Sequence, residues 1–168
     1  AVDLSGRPWV AFEDTSVTNF GDLIVAQYVG SGGNCDATST FDGGSDAWNC
    51  ERVWDGGEAN DVAYNGLSLA FTSYGTPWLA FVDSESSTQD LVVAQYVGSG
   101  GDCDDTGQFD GGSDAWECTR VFDGADANDV VPVSLGFDSS DNPWVAFKND
   151  EGTADDVVVA QFVGGGGG

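Results

Sequence analysis

Short segments rich in apolar residues alternate along this chain with glycine-rich, acidic stretches. Residues 8–13, 22–29 and 48–55 are the first three such segments. They are followed by 67–71, 77–83, 90–97, 116–124, 133–137, 143–147 and 156–163. Each is dense in β-branched and aromatic side chains and bounded by Gly, Pro, Asn or Asp, the combination that predicts a β-strand. None carries the 3.6-residue apolar period of an amphipathic helix. Residues 8–13 and 22–29 are apolar on both alternating faces, so these strands are expected to be covered from both sides.

The segments recur in a fixed order. Residues 23–33 and 91–101 agree at all but one position, and 41–48 and 109–116 agree at every one. Trp9, Trp78 and Trp144 open successive copies of a Pro-Trp-[Val/Leu]-Ala-Phe phrase, 69 and then 66 residues apart. One full unit reads strand, Gly/Pro turn, strand, polar turn, strand, cysteine-bearing loop, strand, which is a four-stranded antiparallel meander. The expected organisation is a partial first unit over 1–65, a complete second over 66–132 and a partial third over 133–168. Such sheets bury both faces only by stacking on their neighbours. Radial stacking makes them blades of a β-propeller.

Four cysteines sit at equivalent places in two repeats, Cys35 with Cys50 and Cys103 with Cys118. That regularity favours one disulfide per repeat and an oxidising compartment. A single zinc bound by all four thiolates is the rival; it lacks any Cys-x-x-Cys spacing and needs two distant repeats to converge. Composition narrows the partners. With 29 acidic against four basic residues (Arg7, Arg52, Arg120 and Lys148) the net charge is −25. Phosphate neutralisation of nucleic acid and docking on an anionic bilayer are both disfavoured by that sign. No run of apolar residues is long enough to insert in a membrane as a helix. High-salt adaptation and divalent-cation sites are the two explanations for the acidity, the first expected to account for most of it.

The phrases at 68–83 (SLAFTSYGTPWLAFVD) and 90–94 (DLVVA) resemble the Ser-Leu-Ala-Leu-Asp-x-x-Gly-x-Pro…Asp-Leu-x-x-Ala blades of bacterial and archaeal secreted propeller repeats. The likeness covers nearly the whole chain and implies architecture more than activity. It orders each blade with the Ser-Leu strand innermost and the Trp-x-Cys strand outermost. Residues 40–48 and their copy ending at Trp116 resemble the Asp-box of sialidase-type propellers, with one inserted residue. That likeness implies a structural turn built on Asp42, Gly44 and Trp48, and on Asp110, Gly112 and Trp116. Strand counting gives one whole and two incomplete blades, about two and a half to three, where a closed ring takes about four to eight. The expectation is part of a larger propeller, or copies that assemble through open sheet edges into oligomers or filaments.

The chain has no histidine, which removes His-dependent triads and His-ligated metals. The acids that stand out are copied between repeats, whereas a catalytic pair is usually unique, so no enzyme is expected. Asp55, Glu58, Asn60 and Asp61, and equivalently Asp123, Asp126, Asn128 and Asp129, place oxygen ligands on glycine-flexed loops that suit calcium or are plain solvated connections. Trp9, Trp78 and Trp144 are expected to pack between blades; exposed, they would offer one glycan-stacking shelf per blade. Glu13, Val82 and Lys148, where the repeats differ, are expected to be exposed. The function read from sequence is a non-catalytic extracellular or cell-surface structural, assembly or adhesion module, with self-association as its partner chemistry and a glycan-binding propeller as the alternative.

Overall fold

The structure is a computed structural model that describes residues 1–15, 21–38, 40–41, 43–56, 62–84, 88–106, 109, 111–124, 130–150 and 155–163; for 63–65 and 131–132 it describes the backbone alone. Among the described residues ten strands form three antiparallel sheets. The first contains β1 (Trp9–Asp14), β2 (Asp22–Tyr28) and β3 (Trp48–Trp54). The second contains β4 (Val62–Phe71), β5 (Pro77–Asp83), β6 (Asp90–Tyr96) and β7 (Trp116–Phe122). The third contains β8 (Val130–Phe137), β9 (Pro143–Asn149) and β10 (Asp156–Gln161). Within each sheet every strand pairs with its neighbour in sequence, and no helix occurs among the described residues. The chain is all-β, a tandem of propeller-like meander sheets.

The pairing register repeats with the sequence. Trp9 faces Gln27, Trp78 faces Gln95 and Trp144 faces Gln161. Ala26 faces Cys50 as Ala94 faces Cys118, and the same irregularity follows Leu23 and Leu91. Because side chains alternate across a strand, a shared register gives each sheet the same two faces. One carries Trp9, Trp78 or Trp144 and is here the tryptophan face. The other carries Phe12, Phe81 or Phe147 and is the phenylalanine face.

The sheets stack in one direction, tryptophan face onto the next phenylalanine face. Leu23, Val25 and Val53 of the first sheet meet Leu79, Phe81, Val92 and Ala94 of the second. Trp78, Ala80, Val82, Leu91 and Val93 of the second meet Val133, Leu135, Val145 and Phe147 of the third. Burying each such side chain is worth roughly 1.5–3 kcal/mol, so these two layers hold the stack together. Aromatic pairs repeat across both. Trp9 meets Phe71 at 5.6 Å and Trp78 meets Phe137 at 5.9 Å, while Trp54 meets Phe81 at 5.2 Å and Phe122 meets Phe147 at 5.5 Å.

Coverage from both sides holds for the middle sheet and, in the first sheet, for β2, whose residues Asp22–Ala26 are buried. All seven residues of β5 are buried, and the cystine loop covers the outer side of β2. In β1, against expectation, the phenylalanine face is open, with Val10 and Phe12 exposed. The sequence of an outer sheet copies that of the middle sheet, but its neighbour is present on one side alone. The same reason corrects a second expectation: Val82 is fully buried, because its column faces the next sheet, whereas Glu13 and Lys148 are half-buried.

Each Pro-Trp strand is introduced by the expected Gly/Pro turn, whose capping side chain the strand and turn signals do not reveal. Asp3 Oδ1 accepts from the backbone N–H groups of Ser5 and Arg7 at 2.8 and 2.9 Å, and Oδ2 accepts from Trp9 Nε1 at 3.1 Å. Asp138 does the same for Ser140, Asn142 and Trp144. These donors, the Asn142 amide foremost, hold the Asp138 carboxyl down to about 2. In the second repeat Thr72 takes the place. It accepts from Thr76 N at 3.0 Å but leaves the buried Trp78 Nε1 without a partner among the described residues. Replacing Thr72 with Asp is expected to raise stability by about 1 kcal/mol by supplying that acceptor. Chemical denaturation of the variant beside the parent is the check, and an unchanged or lower midpoint would show that the indole N–H is satisfied otherwise.

Candidate functional site

The cystine loops come first, since they carry the least ordinary chemistry. Cys35 pairs with Cys50 and Cys103 with Cys118, tying each glycine-rich loop to the outer strand of its sheet. The disulfides consume all four thiols and overturn the zinc alternative. Beside each bridge a side chain clasps the strand. Asn34 Oδ1 accepts from Cys50 N at 2.6 Å, and Asp102 Oδ1 accepts from Cys118 N at 2.7 Å. Glycine at 33 and 101 is required by close approach: a Cβ would lie 2.0 and 2.1 Å from the carbonyl oxygens of Trp48 and Trp116. Two disulfides point to an oxidising environment.

The Asp-box-like loops have diverged in role despite identical sequence. In the second repeat Gly112 bridges to Trp54 of the first sheet, and Asp55 N donates to Gly111 O at 3.1 Å. Glu51 Oε1 accepts from Ser113 Oγ at 2.8 Å and from Trp116 Nε1 at 3.2 Å. The loop is a clasp between sheets. Gly112 has φ 142°, and a Cβ there would meet Val53 O at 2.2 Å. In the first repeat no sheet among the described residues covers Gly44 and Trp48, and Trp48 is half-buried against Tyr28 at 5.3 Å. Asp42 and Asp110 lie outside the described residues.

Of the expected calcium ligands only Asp55 and Asp123 are described; Glu58, Asn60, Asp61, Asp126, Asn128 and Asp129 lie outside the described residues. Asp55 pairs with Arg52 at 3.2 Å. Among the described residues no cluster of three or more His, Cys, Asp or Glu side chains is arranged to hold a metal ion. What the structure brings together at the start of these loops is a repeated ion pair. Arg52 Nε approaches Asp22 Oδ2 at 2.7 Å and Arg120 Nε approaches Asp90 Oδ2 at 2.8 Å. Gly56 N and Gly124 N donate to the other oxygens of Asp22 and Asp90 at 3.1 and 3.0 Å. Asp22 is 1% exposed. Burial outweighs the pull of Arg52 and lifts its carboxyl from 3.8 to about 6; burial also lifts Asp90.

A raised acid pKa means that the folded state keeps a proton which the unfolded chain has released. The resulting stabilisation is full below about 3.8 and is lost as pH rises through about 6. The unfolding midpoint is therefore expected to fall between pH 4 and 6, and Asp22→Asn is expected to flatten that slope. Urea titrations at several pH values decide it; an equal slope in the variant would assign the dependence to the overall negative charge.

The three candidate glycan tryptophans occupy three different settings. Trp78 is buried between the second and third sheets, Trp9 is half-buried between the first and second, and Trp144 is 38% exposed on the outer face of the third. A cleft recurs where each interface opens. One of about 500 Å³ is lined by Asp3, Trp9, Gln27, Glu51, Tyr74 and Tyr96. One of about 460 Å³ is lined by Trp78, Asp141, Asn142 and Gln161. Asp141 sits at φ 60°, where the earlier repeats have Gly6 and Gly75, and its carboxylate accepts from Ser73 N at 2.7 Å and Ser73 Oγ at 2.5 Å. A third concavity, about 550 Å³, lies on the open phenylalanine face of the first sheet between Val10, Phe12, Ile24, Phe41 and Trp48. The chain matches no protein-family model and no curated protein, so its functional reading rests on this geometry.

Proposed function

We propose that the chain is a non-catalytic structural module of extracellular or cell-surface character, serving assembly or adhesion and related to secreted propeller-like repeats. The observation that carries this is how the polar side chains are employed. Asp3, Asp138, Asp22, Asp90, Asp102 and Glu51 are all engaged in capping turns, pairing with arginine or clasping one strand or sheet to another. None is set aside for a substrate, and the chain has no histidine. The two disulfides support export to an oxidising setting. Calcium at the loops 55–61 and 123–129 is part of the proposal and rests on the repeated oxygen-bearing side chains.

Sedimentation velocity over a wide concentration range, with calcium and with chelator, tests the proposal. Assembly predicts growth of the sedimenting species with concentration. A monomer throughout would sink the assembly reading, and identical behaviour and stability with chelator would sink the calcium part. The glycan-binding alternative is favoured by one feature, the recurring inter-sheet cleft with an aromatic ring beside carboxylate and amide groups. Titrating sugars against tryptophan fluorescence separates the two, because a lectin site at Trp9 would respond.

A further inference from the structure

The two outermost faces of the stack are the two halves of an interface that the molecule already builds twice. The free face of the first sheet is a phenylalanine face, and the free face of the third is a tryptophan face. Positions buried between sheets elsewhere are open here. Val157 and Val159 are 83% and 58% exposed, whereas their counterparts Leu23, Val25, Leu91 and Val93 are 6% exposed or less. Val10 and Phe12 are 46% and 39% exposed, whereas Leu79 and Phe81 are at 0%. Trp144 is 38% exposed, against 7% for Trp78.

Resting on the assembly reading, we infer that the open tryptophan face of one copy of this chain docks on the open phenylalanine face of a second copy, continuing the stack head to tail. The internal interfaces supply the template. In both, a tryptophan packs on the aromatic residue that pairs beside the following Pro-Trp strand: Trp9 on Phe71, Trp78 on Phe137. Phe71 pairs with Pro77 and Phe137 with Pro143. Val2 pairs with Pro8 in the same way and is 60% exposed, so it is the acceptor for Trp144 of the neighbouring copy. Val157 and Val159 then cover Val10, Phe12 and the concavity beside them, as Leu23 and Val25 cover the second sheet.

The contact differs from the internal ones on both sides: the described part of the first sheet has no counterpart of β4 or β8, whose Leu67 and Leu69, and Val133 and Leu135, pack in the internal layers. Trp54 and Phe122, which pack on Phe81 and Phe147, come from outer strands, and the described part of the third sheet has none. The association is therefore smaller than either internal interface and reversible. The net charge of −25 opposes it until salt screens the repulsion. Because the two surfaces differ, the contact is heterologous and grows into a ring or a filament instead of stopping at a twofold dimer.

The test uses Phe12→Asp, which blocks one face, and Val159→Asp, which blocks the other; both side chains are exposed, and near-UV circular dichroism confirms folding. In about 1 M salt, where the screening length is about 3 Å, the parent chain is expected to associate with rising concentration while each variant alone stays monomeric. An equimolar mixture of the two is expected to form a capped one-to-one dimer, since each retains the face the other has lost. Parent association that survives in either variant alone, or a mixture that stays monomeric while the parent associates, overturns the face-to-face contact and leaves the assembly reading intact. A parent that never associates overturns both.

Discussion

Removing both disulfides, by Cys35→Ala with Cys50→Ala and Cys103→Ala with Cys118→Ala, is expected to lower the unfolding free energy by about 6 kcal/mol. Each bridge spans a sequence separation of 15 residues, and closing a loop of that size restricts the unfolded chain by about 3 kcal/mol. The two sites lie in different layers, one beneath the outer loop of the first sheet and one between the first and second sheets, so their costs should add approximately. They should not be equal. Cys103 is at 0% exposure in the inter-sheet core, and losing its sulfur also leaves a gap against Phe109 and Trp116. A domain of this kind is stable by about 5–15 kcal/mol in total, so the fourfold variant should be near the edge of unfolding. Guanidinium titrations of the parent with and without reductant, and of each paired variant, measure this directly. A midpoint indifferent to reductant would deny the bridges their stapling role.

Much of this architecture is legible in the sequence because the code for it is local. Segments such as 77–83 and 90–97 announce strands through composition and bounding turns, and the copied Cys-loop-Cys spacing announces its own pairing. What was hidden depends on position in the stack. Trp9, Trp78 and Trp144 are the same residue in the same phrase, yet their burial is set by whether another sheet lies above them. Val82 shows the related point that variation in a column does not mean exposure, because its column faces a neighbouring sheet. Glu51 is harder still. It has no counterpart in the second repeat, where Thr119 stands, and its partners Ser113 and Trp116 are more than sixty residues away. The Asp3 and Asp138 turns, by contrast, left a readable signal: an aspartate six residues before the tryptophan of each Pro-Trp phrase, with threonine in the middle copy.

The separation of local code from stacking context leads to the second large expected effect. Trp116→Ala should cost about 3–5 kcal/mol, while Trp48→Ala, in an identical eight-residue phrase, should cost about 1 kcal/mol. Their intrasheet surroundings are almost the same. Trp116 meets Tyr96 and Trp48 meets Tyr28, both at 5.3 Å, with interplanar angles of 71° and 72°. The difference arises entirely across the inter-sheet layer. Trp116 is at 0% exposure within the core that joins the first two sheets, and its Nε1 donates to Glu51 Oε1. Truncating it opens a cavity between sheets and withdraws one of the two donors to that carboxylate oxygen, whereas truncating Trp48 uncovers a surface already half in water. Denaturant unfolding of both variants, with Glu51→Ala added to each, apportions the effect: coupling should be present with Trp116 and absent with Trp48. Equal losses for the two tryptophans would mean that their worth lies within each sheet, and that the sheets contribute little to one another's stability.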